Sequence, residues 1–142
     1  MGKRSAAAVV LAAVFLLSAC GKVTDEYPTR ADAAAAGLFE QAWLPDMLPP
    51  SASLIRITRS LDQGEAEGWF HFPSQDWSLV EAKLQPYRQP LKPDPAVTTW
   101  VAKKSTRGYT PFEVTGADAR WLFVCSESGG KCYFKRWPAQ SD

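Results

Sequence analysis

Residues 120–137, RWLFVCSESGGKCYFKRW, hold the clearest structural signal in the chain. Two runs rich in aromatic and β-branched residues flank Ser126-Glu127-Ser128-Gly129-Gly130-Lys131, and that combination predicts an antiparallel hairpin. Cys125 and Cys132 lie on its two arms. Setting those two opposite each other dictates the rest of the register, because antiparallel partners move in opposite directions along the chain. Phe123 then faces Phe134, Val124 faces Tyr133, and Trp121 faces Arg136.

Upstream, a second hairpin is expected. Ile55 and Ile57 alternate with Arg56 and Thr58 in a strand from about Leu54 to Ser60. Residues 62–68 form a polar turn, and Trp69-Phe70-His71-Phe72 returns until Pro73 ends it. Between these signals lie two helical ones. Thr29 caps a helix with Asp32 completing a variant of the capping box, and Ala34, Leu38, Phe39 and Ala42 give it a narrow apolar stripe. Gly37 weakens its middle by about 1 kcal/mol relative to Ala, and Pro45 stops it by Leu44. Ser74 caps a second helix over 75–85, with Trp77, Val80 and Leu84 on one face. Trp43 to Pro50, WLPDMLPP, is a rigid irregular segment, and residues 86–95, with four prolines, form a surface crossing. Residues 97–102 and 112–115 read as further short strands. The order α-β-β-α-β-β-β lacks regular βαβ alternation. It predicts an α+β fold, an antiparallel sheet of four to five strands with two helices packed on one face.

The N-terminus carries a different kind of signal. Lys3 and Arg4 precede an apolar run from Ala6 to Leu17, which is shorter than the roughly 20 residues of a membrane span. Leu17-Ser18-Ala19-Cys20 follows and resembles the lipobox of bacterial lipoproteins. The resemblance implies a signal peptide over residues 1–19 and a lipidated N-terminus on Cys20. It also implies stable membrane attachment, since each buried CH₂ contributes roughly 0.8 kcal/mol. Residues 20–28 then read as a polar tether and 29–142 as a single domain. Gly21 after the cysteine fits an outer-membrane lipoprotein on the periplasmic face, while Lys22 leaves inner-membrane retention open.

Composition narrows the partners. The chain has 16 Lys and Arg against 15 Asp and Glu; removing residues 1–19 takes Lys3 and Arg4 and no acid, leaving 14 against 15. Beyond residues 1–19 no basic run exceeds a pair such as Lys103-Lys104, so the footprint of a nucleic-acid binder is missing. With Cys20 lipidated, Cys125 and Cys132 remain as an even pair in an oxidising compartment, and a structural disulfide is expected. Their spacing is wider than a Cys-x-x-Cys redox motif, and with a single histidine the chain offers too few ligands for a zinc site. No metal or cofactor is expected.

His71 is the only histidine. Alternation sets it beside Trp69 and Arg56 on the polar side of the first hairpin, because Ile55, Ile57, Phe70 and Phe72 all need the other side. Trp and Arg are enriched at interface hot spots, so Arg56, Trp69 and His71 are the candidate binding residues. The expected function is a non-catalytic envelope module that binds a protein or glycan partner. The alternative is a small cell-wall or sugar hydrolase in which His71 works with an acid from residues 62–67, namely Asp62, Glu65 or Glu67. No Gly-x-Ser-x-Gly elbow supports nucleophilic catalysis, and the acids share a glycine-flanked turn. GLFEQAWLPDMLPPSASLIRI from Gly37, with Leu61-Asp62 and Gly68 to Phe72, resembles a pattern found in small uncharacterised proteins, many of them bacterial lipoproteins. That likeness implies a coherent domain and assigns no chemistry.

Overall fold

The computed structural model describes residues 21–88 and 94–139. Its frame is one antiparallel sheet of seven strands: β1 (Lys22–Thr29), β2 (Ser53–Ser60), β3 (Glu65–His71), β4 (Gln85–Pro86), β5 (Thr110–Thr115), β6 (Ala119–Ser126) and β7 (Lys131–Pro138). Across the sheet they run β1-β2-β3-β7-β6-β5-β4. The two hairpins therefore meet edge to edge, β3 against β7.

This corrects the expected α+β fold of four to five strands with two helices on one face. The largest surprise is β1. Its sequence, KVTDEYPT, is polar and reads as tether, yet it pairs along β2 from Lys22↔Ser60 to Thr29↔Ser53. Being an edge strand, it buries one face only in part, so it carries little of the apolar alternation that marks a strand. The opposite error falls on residues 97–102, which are helical. Asp94 caps α3 (Pro95–Ser105) by accepting from the Ala96 amide, Pro95 occupies the first turn, and Lys103 and Lys104 complement the C-terminal dipole. These end signals outweigh the β-branched residues between them.

The other helices are shorter than expected. α1 (Arg30–Ala35) has the anticipated cap: the Thr29 hydroxyl accepts from the Asp32 amide and the Asp32 carboxylate accepts from the Thr29 amide. It ends within two turns because Gly37 takes φ +81°, a conformation that closes helices. Of the expected stripe only Leu38 is buried: Ala34 is exposed, Phe39 and Ala42 are half-buried, and Ala33 takes the inward place on the helix, while Leu44, Met47 and Leu48 of the turns that follow complete the core. α2 (Trp77–Glu81) follows a short 3₁₀ turn over Ser74–Asp76, and Ser74 makes no cap bond.

The core lies on one face of the sheet. There Ile55, Ile57, Phe70, Phe123 and Phe134 pack against α1, the 36–52 segment and Val80 of α2. α3 lies on the other face, over β5 and β6. It covers Leu122 and Val124, which are buried outside that main cluster. Among the described residues nothing comparable covers the β1–β3 half of this second face. Gly68 brings β2 and β3 unusually close, since a Cβ there would sit 1.8 Å from the Arg56 carbonyl oxygen.

Candidate functional site

Strand alternation and the register of three neighbours build the site on the open half of the second face. Arg56 pairs with Trp69, Trp69 with Tyr133, and His71 with Lys131, so these side chains share one side of the sheet. The Arg56 guanidinium lies 5.1 Å from the Trp69 ring centroid and the Lys131 ammonium 4.8 Å from it. Tyr133 meets Trp69 edge-on with centroids 6.0 Å apart. Beyond it, Lys131 and Lys104 stand 4.4 and 3.5 Å from the Tyr133 ring, and Tyr109 packs against that ring at 5.5 Å. The result is a ladder in which cations and aromatic rings alternate.

Charge balance along the ladder is uneven. Arg56 donates to Glu26 at 3.0 Å, so its charge is partly matched on an exposed surface. Lys135 is similarly paired with Glu67 at 2.9 Å. Among the described residues neither Lys104 nor Lys131 forms an ion pair. Both act on Tyr133, whose phenol is held below its ordinary range, first by the Lys131 ammonium at its hydroxyl and then by Lys104, against the opposing effect of burial. Tyr109 shifts upward, chiefly through burial and then through Tyr133. His71 is held below the ordinary imidazole value, first by burial and second by Lys131, which favours its neutral form.

The structure thus brings Arg56 and Trp69 into contact and sets His71 one row further along the strand. It does not bring His71 to the acids of residues 62–67. Glu67 lies four residues back on the same strand, about 13 Å at the usual rise, and Asp62 and Glu65 lie further still. Glu67 is engaged by Lys135, whose hydrogen bond is the main cause of its lowered pKa. Sequence reasoning missed Lys131, Tyr133, Lys104 and Tyr109. The register of the last hairpin does put Lys131 and Tyr133 on one face, but nothing in the sequence announces that β3 lies beside β7. Lys104 and Tyr109 depend on a helix where a strand is expected.

Two supports hold this surface. Cys125 and Cys132 are disulfide-bonded, with Cα atoms 4.1 Å apart, directly behind the His71–Lys131 row where Phe70 pairs with Cys132. The hairpin has the register that opposed cysteines require, Phe123↔Phe134 and Val124↔Tyr133 included. On the core face, Trp43 lies between the guanidiniums of Arg59 and Arg136, at 5.4 and 4.6 Å. Arg136 is buried, donating through Nε to the Ala42 carbonyl at 2.8 Å and through Nη1 to the Gly64 carbonyl. Trp121 Nε1 donates to the Trp43 carbonyl at 3.1 Å, which pins the irregular segment to the sheet. Cys20 and the signal region lie outside the described residues, as does part of the 86–95 crossing.

No curated protein and no solved structure matches the chain. Residues 21–71, which are β1, α1, the irregular segment, β2 and β3, match the family model of the YbbD head domain, a family of small bacterial proteins.

Proposed function

We propose that this protein is a non-catalytic binding module of the bacterial envelope, held by lipid on Cys20 to the periplasmic face of the outer membrane, and that it engages an acidic partner through the Arg56–Trp69–Lys131–Tyr133 ladder. One observation carries the reading: two ammonium groups that form no ion pair among the described residues, Lys131 of β7 and Lys104 of α3, are held over aromatic rings at the border of the open β1–β3 half of this face. The rings of Trp69 are already faced by cations, so what the surface offers a ligand is charge in fixed positions rather than a bare stacking platform. Carboxylates would complete that arrangement, since charge-assisted contacts to Lys and Arg are among the stronger polar interactions. His71, held neutral at the end of the row, adds a hydrogen-bonding group without a second charge.

The test compares variants in pull-downs from solubilised envelope and with soluble peptidoglycan fragments, folding being checked by thermal melt. Arg56→Ala and Lys131→Gln are expected to lose the partner at unchanged melting temperature, and wild-type binding should weaken as salt rises toward screening of exposed charges. Retention of all binding by both variants, or salt-independent binding, removes the ladder from the function. Labelling of the wild type but not of Cys20→Ala with palmitate tests the anchor separately.

A further inference from the structure

We infer that the end of the sheet carrying Lys22 and the β2–β3 turn is seated on the lipid headgroups of the membrane that holds the anchor, with Leu61 at the contact. This rests on the Cys20 anchor proposed above. Because β1 begins at Lys22, only Gly21 separates the sheet from Cys20. Two peptide steps of about 3.8 Å each confine the Lys22 Cα to within about 8 Å of that of Cys20. A lipid at that position therefore holds the strand end itself at the membrane surface, where a flexible tether of nine residues would have let the domain tumble.

The topology decides which residues share that end. Lys22 pairs with Ser60, so the turn over residues 61–64 starts at the same height, and Ala119 pairs with Pro138 further across the sheet. Leu61, first in the turn, is 57% exposed. The other exposed leucines among the described residues, Leu54 and Leu79, lie near the start of β2 and on α2. An aliphatic side chain next to a lipid anchor gains by entering the headgroup boundary. Electrostatics does not contribute: around Lys22 and Arg120 this end carries Asp62, Glu65, Asp94 and Asp118. The seat is therefore set by covalent reach and Leu61, and it is insensitive to salt.

One consequence concerns the ladder. Trp69 lies four residues along β3 from Glu65, and His71 six, which at a rise of about 3.4 Å puts them roughly 13 and 20 Å from the seated end. Tyr109 and the 127–130 turn lie at that far end too, so the cationic surface stands clear of the membrane that carries it.

The experiment uses full-length lipidated protein in phosphatidylcholine vesicles containing a headgroup spin-labelled lipid. A fluorophore is placed on Leu61→Cys or, at the far turn, on Ser128→Cys; Gln63→Cys replaces the first if it folds poorly. Quenching at residue 61 or 63 is expected to exceed that at 128 by roughly twofold or more, given about 20 Å between the strand ends. The difference should persist in high salt and shrink when eight Gly/Ser residues are inserted after Gly21. Equal or reversed quenching with lipid present on Cys20 by mass spectrometry overturns the seat alone. Absence of lipid on Cys20, with protein failing to float with vesicles, overturns the anchor and the seat together.

Discussion

The two faces of the sheet use the same chemistry to different ends. On the core face Trp43 lies between Arg59 and Arg136; on the open face Trp69 lies between Arg56 and Lys131. The core-face cations are committed. Arg136 is engaged by the Ala42 and Gly64 carbonyls and Arg59 by Asp25 at 2.9 Å, although the buried Nε of Arg59 has no hydrogen-bond partner among the described residues. On the open face Arg56 is only partly matched by Glu26, and Lys131 has no acid among the described residues. A tryptophan between two cations is thus not in itself a functional mark. What distinguishes the two is whether the charge of each cation is already engaged by an acid or by carbonyls, because burying an unmatched charge costs far more than leaving one at the surface.

Breaking the core-face arrangement should produce the largest effect. Arg136→Met is expected to lower stability by about 3 kcal/mol, since it strips two half-buried carbonyls of their charged donor and loosens Trp43 against Trp121. Urea unfolding measures it, and a loss below about 1 kcal/mol would return Arg136 to the class of ordinary surface cations. Next comes the bond behind the ladder. Cys125→Ser with Cys132→Ser should cost about 2–3 kcal/mol by loop-closure entropy, and reduction of the wild type should give the same shift. A reduced protein that melts unchanged would contradict this.

Trp69→Ala sharpens the comparison from the other side. Because Trp69 is only half-buried, its truncation should change stability by no more than about 1–2 kcal/mol, less than a fully buried aromatic, while binding of the partner is lost. A melt that collapses without specific loss of binding would make Trp69 a core residue like Trp121. The smallest expected effect is a pH dependence. Burial and Lys131 hold His71 below its ordinary value of 6.5, so the folded protein binds a proton less readily than the unfolded chain. Its contribution is complete above pH 6.5 and is lost as the pH falls through the lower folded value. Comparing wild type with His71→Asn in thermal melts between pH 7.5 and about pH 5 isolates it; a wild type that gains stability relative to the variant on acidification would reverse the sign argued here.

Legibility in the sequence followed burial on both sides. Strands β2, β6 and β7 show strongly through Ile55, Ile57, Phe123 and Phe134 because they sit in the middle of the sheet and their alternation is enforced by the core. β1 does not, since the outer edge of a sheet asks little of Lys22 to Thr29 beyond backbone pairing. The helices were visible at their ends rather than their lengths. Thr29 and Asp32 mark where α1 begins, but Gly37, which reads as a mere weak point in a longer helix, is where the chain turns away to let Leu38, Leu44 and Met47 fold back over the sheet.

For the candidate site, the chain alone determined that Arg56, Trp69 and His71 share the side of the first hairpin opposite Phe70, because a period of two leaves no other choice once the apolar residues are committed inward. It equally determined the pairing within the last hairpin. Only the tertiary structure decided that these hairpins lie edge to edge as β3 and β7, that α3 adds Lys104, and that a strand begins as early as Lys22. The physical reason is separation along the chain. Local alternation is a property of consecutive residues, whereas the choice of neighbouring strand is made by the whole sheet closing its core, and no single segment carries that information.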